Sequence, residues 1–136
     1  NLFHQFMSKI EYSHHFNKVK IDFLMDEKCD RDQVLKIIKM AKKVLNNKHL
    51  KRYFSKEYEV ICEKEIFTSD NTILIPDRIL FGEGKKATVM DYKTGAPRKS
   101  DNDQVTLYAS SLGNMGFDVE KVLLVYVGSS VKIVEA

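Results

Sequence analysis

Residues 72–94 read TILIPDRILFGEGKKATVMDYKT, and this stretch decides the fold. Two apolar-rich runs, Thr72–Phe81 and Lys86–Lys93, flank Gly82-Glu83-Gly84, a turn signal that folds one run back on the other as paired strands. In extended chain, residues i and i+2 project to the same face, so Asp91 and Lys93 stand side by side while Tyr92 faces away. Asp77, in the preceding run, is brought against them. Two carboxylates and one ammonium then converge. Carboxylate oxygens suit a hard divalent cation such as Mg²⁺, which retains several waters and takes up substrate phosphate. A lysine beside such an ion can orient an attacking water and neutralise charge building on phosphorus. The chemistry indicated is phosphodiester hydrolysis.

Outward from this stretch, the periodicity changes near residue 57. Upstream, Phe3, Phe6, Met7 and Ile10 fall at helical spacing and predict a helix over Leu2–Tyr12. Asp30 with Gln33 three residues on predicts a capped helix start, and Val34, Ile38, Ala41 and Leu45 form its apolar stripe until Asn46-Asn47. A short helix is expected over Lys48–Phe54. Downstream, Tyr58–Phe67 alternates as a strand, Ser69-Asp70-Asn71 is a turn, and Thr72–Phe81 and Lys86–Lys93 follow as strands. Gly95-Ala96-Pro97 interrupts the chain. Ser100 with Asp103 is read as a capping box opening a helix to about Met115, with Gly116 just beyond its end. Lys121–Val127 reads as a buried strand and Val131–Glu135 as an edge strand. The expected fold class is α/β, a central mixed β-sheet flanked by helices with a helical N-terminal part.

Bulk properties narrow the function classes. At 136 residues and 43% hydrophobic, the chain can build one ordinary core. A single domain over 1–136 is expected, helical over 1–56 and α/β over 57–136. No run of 18 or more apolar residues exists, so no membrane contact is expected. Cys29 and Cys62 form no paired ligand pattern and read as reduced thiols, which suits a cytoplasmic protein. Residues 1–56 carry 13 Lys/Arg against 6 Asp/Glu, a net +7, whereas the remainder holds 9 against 13, a net −4. The basic half could track phosphates, although on charge alone a solvated lysine-rich helix surface is the better explanation of the surplus. His14, His15 and His49 have no ligand partners at zinc spacing. No GxxxxGK[ST] motif is present, so ATP is not bound through a P-loop. The start at Asn1-Leu2-Phe3-His4 reads as a piece of a longer chain.

The order of elements and four blocks of residues resemble the PD-(D/E)XK nuclease superfamily, with its restriction-endonuclease-like core. Within it, the chain is most similar to RecB/AddA-type (exonuclease V-like) nuclease domains found at the C-terminus of helicase–nucleases. His4 resembles the family's N-terminal helical histidine, Glu65 before Ile66-Phe67 its first-strand glutamate, and Asp77 in Pro76-Asp77-Arg78-Ile79 its second-strand acid. Asp91-Tyr92-Lys93-Thr94-Gly95 is nearly the family's catalytic strand, and Gln104 and Tyr108 resemble the pair that marks the RecB-like branch. Leu74 departs from the pattern, which has glycine three residues before the acid.

The resemblance implies a metal-dependent deoxyribonuclease of DNA end processing and recombinational repair, acting on single-stranded DNA delivered by helicase motor domains, with a second helicase–nuclease subunit as a further partner. It implies Mg²⁺, or Mn²⁺ in its place, held by Asp77, Asp91, His4 and the Tyr92 carbonyl, with Lys93, Glu65, Gln104 and Tyr108 completing the catalytic set. Two cysteines argue against the iron–sulfur cluster of some relatives.

Plainer readings stand beside these. Asp77 could pair with Arg78 or Lys93, and Asp91 with Lys93 could be a strand-end ion pair. His4 could be a structural histidine. Glu65 could pair with a surface lysine, leaving Glu63 as the participant. Gln104 and Tyr108, at i and i+4, could be ordinary edge packing. Lys85, Lys86, Arg98 and Lys99 are expected on loops beside the site, where they could follow a phosphate backbone. The alternatives from other classes are a catalytically inactive nuclease-fold module binding DNA, a docking domain in a helicase complex, and a free-standing restriction or junction-resolving nuclease.

Overall fold

The computed structural model describes residues 1–68 and 70–136. Its helices are α1 (Leu2–Ser8), α2 (Phe16–Met25), α3 (Arg31–Asn46) and α4 (Lys99–Asn114), and its strands are β1 (Glu59–Cys62), β2 (Ile66–Phe67), β3 (Ile73–Leu74), β4 (Arg78–Phe81), β5 (Lys86–Lys93), β6 (Asp118–Val127) and β7 (Val131–Glu135). Five strands form one sheet in the order β1-β4-β5-β6-β7, and β2 pairs with β3 in a separate two-stranded ribbon. Only the β5–β6 pairing is parallel, so the sheet is mixed. α4 is the crossover that parallel pairing requires.

The central strand β5 is buried from Ala87 to Tyr92, as expected where helices cover both faces. Its alternation divides the core. Met90 and Tyr92, with Leu80, Leu123 and Val125, pack against α1 and α3. Val89, with Ile79, Val122 and Leu124, packs against Val105, Tyr108 and Leu112 of α4. The chain is therefore α/β, a central mixed sheet between helical layers, and Asp91 and Lys93 project on the α4 side.

The expected helix over Leu2–Tyr12 stops earlier, at Ser8, and is followed by a 3₁₀ turn at Ser13–His15 and then by α2, which the pattern analysis missed. The signal for α2 was present in Phe16, Val19 and Phe23. Asp30 caps α3 as expected, its carboxylate accepting from Gln33 N at 3.2 Å. The helix expected over Lys48–Phe54 is a 3₁₀ turn, Lys51–Phe54.

Two expected strands are each broken. Thr72–Phe81 divides into β3 and β4 because Pro76 has no N–H for a ladder. Tyr58–Phe67 divides into β1 and β2 at Glu63, whose φ of +52° is left-handed. The two breaks meet: Glu63 N donates to the Asp77 carbonyl at 3.2 Å. The expected turn at 69–71 includes Ser69, which lies outside the described residues. α4 starts two residues earlier than the Ser100/Asp103 reading, with Asp101 Oδ2 accepting from Arg98 N at 2.9 Å. At its far end Phe117 N donates to Leu112 O at 3.1 Å across Gly116, whose φ is +95°.

The helical and sheet parts are tied together by Arg78, which is fully buried. Its Nη1 donates to Ile10 O at 2.7 Å, and its Nη2 donates to Glu11 O and, at 3.0 Å, to Tyr53 O. Phe54 lies under the guanidinium, 4.2 Å from Cζ to ring centroid. Replacing Arg78 with Ala would leave these buried carbonyls unpaired beside a void. The expected loss is roughly 3–5 kcal/mol, read as a lower urea midpoint. Arg78→Lys should not restore it, because an ammonium cannot reproduce the planar fork.

Candidate active site

β5 ends at the site, and its register with neighbouring strands sets the geometry. Asp91 and Lys93 stand on one face, as i and i+2 demand, with Lys93 Nζ 3.0 Å from Asp91 Oδ2. Asp77 precedes β4 immediately, after Pro76 has released the chain from the ladder. It closes onto β5 through two bonds: Asp77 N donates to Asp91 Oδ1 at 3.1 Å, and Tyr92 N donates to Asp77 Oδ2 at 2.7 Å.

From the other layer α1 presents His4. Its Nε2 lies 2.9 Å from the Tyr92 carbonyl and 3.3 Å from Asp77 Oδ2. Both neighbours are acceptors, so Nε2 carries the hydrogen in this arrangement. Asn1 caps the short helix through its side chain, accepting from His4 N at 3.3 Å. Tyr92 itself packs away from the acids, edge-on to Phe3 at 5.7 Å, and buries its ring beside α1.

α4 completes the arrangement. Gln104 Oε1 accepts from Lys93 Nζ at 2.5 Å, so the ammonium is held between Asp91 and Gln104. Tyr108 is one turn further on and buried. Burial, followed by the Asp91 and Asp77 charges, raises its hydroxyl above the ordinary phenol range. Two residues the sequence reading passed over fix the start of this helix. Asp101 Oδ2 accepts from Tyr126 Oη at 2.8 Å, and Tyr126 is the β6 residue in register with Lys93. The Arg98 N–H holds the Asp101 carboxyl below the usual range.

Other expected residues fall elsewhere. Glu65 is exposed and lies between β1 and β2, outside both strands, where no hydrogen bond or ion pair joins it to Asp77, Asp91 or Lys93 among the described residues. Glu63 is likewise exposed and reaches the site only through its main chain. Lys85 and Lys86 do not flank the site: they stand at the opposite end of β5, about 16 Å from Asp91 along an extended strand. Lys86 instead lies 3.4 Å from Glu120. Arg98 and Lys99 are exposed at the entry to α4. A cleft of about 820 Å³ also lies at that opposite end, lined by Arg52, Tyr58, Gly82 and Lys86, remote from the carboxylates.

The electrostatics of the site are those of crowded acids. Burial, then the Asp77 charge, push Asp91 up to about 6, against the Asp77 N–H and Lys93, which act in the opposite direction. The Asp77 carboxylate raises His4 above the ordinary imidazole range, with burial opposing. Among the described residues no three His, Cys, Asp or Glu side chains converge on one point as they stand. The geometry shows why: Asp77 Oδ2 is turned to His4 and Tyr92 N, and Asp91 Oδ2 to Lys93.

A folded-state pKa above the unfolded value stabilises at low pH, and that stability is lost as the pH rises through the folded value. In metal-free buffer the Asp91 contribution should therefore be full below about 4 and gone above about 6. The wild type should lose roughly 2–3 kcal/mol relative to Asp91→Asn across that window, as read from paired urea titrations. Among known proteins, no family model matches this chain and no curated protein matches it.

Proposed function

We propose that this chain is a metal-dependent deoxyribonuclease domain with a restriction-endonuclease-like core, of the RecB/AddA type within the PD-(D/E)XK superfamily. The observation that carries the reading is the convergence of Asp77, Asp91 and Lys93 at the end of β5, with Gln104 on the lysine and His4 on Asp77. An ion-pair role alone would not require two neighbouring carboxylates. Asp91 is 5% exposed at its side chain, and burial, followed by the Asp77 charge, opposes its ionisation even with Lys93 at 3.0 Å.

A divalent cation is what such a pair lacks, and the donor set, carboxylate oxygens and a main-chain carbonyl, fits Mg²⁺ or Mn²⁺. Asp77, Asp91 and the Tyr92 carbonyl would hold it. His4 would join as a ligand by moving its hydrogen to Nδ1, which is buried and without a partner among the described residues. When bound, the ion supplies Lewis acidity and lowers the pKa of a coordinated water. Lys93 lies beside the scissile phosphate and offsets charge accumulating on its oxygens. Gln104 keeps the Lys93 ammonium from folding wholly onto Asp91. Tyr108 closes the apolar side of the site and excludes water. The substrate is single-stranded DNA fed by helicase motor domains, in the course of DNA end processing and repair.

The test is cleavage of labelled single-stranded DNA in Mg²⁺ or Mn²⁺, with Mn²⁺ binding measured by calorimetry. Asp91→Ala and Lys93→Ala should each lower the rate by at least about 100-fold. Asp91→Ala should also abolish ion binding, whereas Lys93→Ala should not. Gln104→Ala, which only positions Lys93, should cost about 10-fold. A folded wild type that binds neither ion would overturn the reading in favour of an inactive nuclease-fold module.

A further inference from the structure

The β2–β3 ribbon carries an apolar surface that the fold does not use. Its inner pair, Ile66 opposite Leu74, is buried against the cluster around Val105 and Tyr108. Its outer pair, Phe67 opposite Ile73, is 70% and 50% exposed, and Ile75 beyond it is 48% exposed. Burying such side chains is worth about 1.5–3 kcal/mol each, so leaving them in water together calls for an occupant. The ribbon runs directly into the site: Asp77 follows Ile75 by two residues, a reach of at most about 7 Å.

We propose that this outer face, centred on Phe67, is a stacking platform for the unpaired bases of the strand whose phosphate lies at Asp77 and Asp91. The inference rests on the nuclease reading and adds the subsite that receives the bases. An aromatic face accepts any base, and aliphatic neighbours widen it without specifying sequence. The flanking charges favour bases over backbone: Glu65 and Asp70 are both exposed beside the ribbon and would repel phosphates laid along it. Around the ribbon the exposed acids Glu63, Glu65 and Asp70 outnumber the exposed Lys64, and further cations stand on other elements, Lys93 at the end of β5 and Arg98 and Lys99 at the entry to α4. A duplex keeps its base faces stacked inside and offers nothing to Phe67. The platform therefore selects for single strands beside a phosphate site that would tolerate either form.

The chain contains no tryptophan, so Phe67→Trp installs a unique fluorophore on the platform. Binding is followed in Mg²⁺ in a Lys93→Ala background, where the strand is held and cut at least about 100-fold more slowly. Oligothymidylate should quench the new indole, and an abasic strand of equal length should not. Phe67→Ala should weaken oligothymidylate binding about 5- to 150-fold while leaving the circular dichroism unchanged. Equal affinity after Phe67→Ala, or equal quenching by the abasic strand, would overturn the platform and leave the nuclease reading intact. Self-association of the wild type that Phe67→Ala abolishes would overturn it in favour of a contact between copies. Failure of the unmodified protein to cut a single strand in either ion, or to bind those ions, would overturn both.

Discussion

A buried charge with no counter-charge among the described residues holds this protein together. Arg78 opens β4 with its guanidinium directed into the helical layer, where main-chain carbonyls of Ile10, Glu11 and Tyr53 and the ring of Phe54 receive it. The carbonyls come from the segment after α1 and from the 3₁₀ turn after α3, so one side chain fastens both to the sheet. An isolated buried cation would be costly, but several carbonyl dipoles and an aromatic face replace its hydration. The same tie sets the height of α1 over β5. His4 meets Asp77 and the Tyr92 carbonyl because Arg78, the residue after Asp77, anchors the end of the segment that follows His4.

The candidate site works against stability. Asp77 and Asp91 are held close by each other's main chain, Asp77 N to one carboxylate and Tyr92 N to the other. These bonds fix both acids without neutralising them, and Lys93 is shared with Gln104 rather than committed to Asp91. Crowded carboxylates at the end of a buried strand cost stability that a core residue would supply, and such costs gather where chemistry is done. The fold contributes rigidity from three sides: the β5–β6 pairing under Lys93, the Asp101–Tyr126 bond at the start of α4, and α1 above Tyr92.

The breaks in the strands matter as much as the strands. Pro76 ends the ladder just before Asp77, and Glu63 turns left-handed where its N–H reaches the Asp77 carbonyl. The chain leaves the sheet for the β2–β3 ribbon and returns at the acid. The ribbon is thus an excursion from the edge of the site, anchored by Ile66 and Leu74 and bare on its other side.

Local pattern by itself determined the hairpin of β4 and β5, the extent of β5, the placement of Asp91 and Lys93 on one face, the Asp30 cap and the apolar stripe of α3. Each follows from period, turn chemistry or capping within a few residues. Gln104 and Tyr108 were legible as a helical pair, but the contact of Gln104 with Lys93 depended on how α4 crosses the sheet. Only tertiary structure decided that Glu65 lies exposed outside the strands, that Lys85 and Lys86 stand a strand's length from the acids, and that Arg78 turns away from Asp77. The role of Asp101 was hidden for the same reason, since its partner Tyr126 comes from a strand 25 residues on. Period and spacing assign a side chain to a face. They do not say which distant carbonyl, carboxylate or ring meets it there, because that depends on packing between segments far apart in sequence.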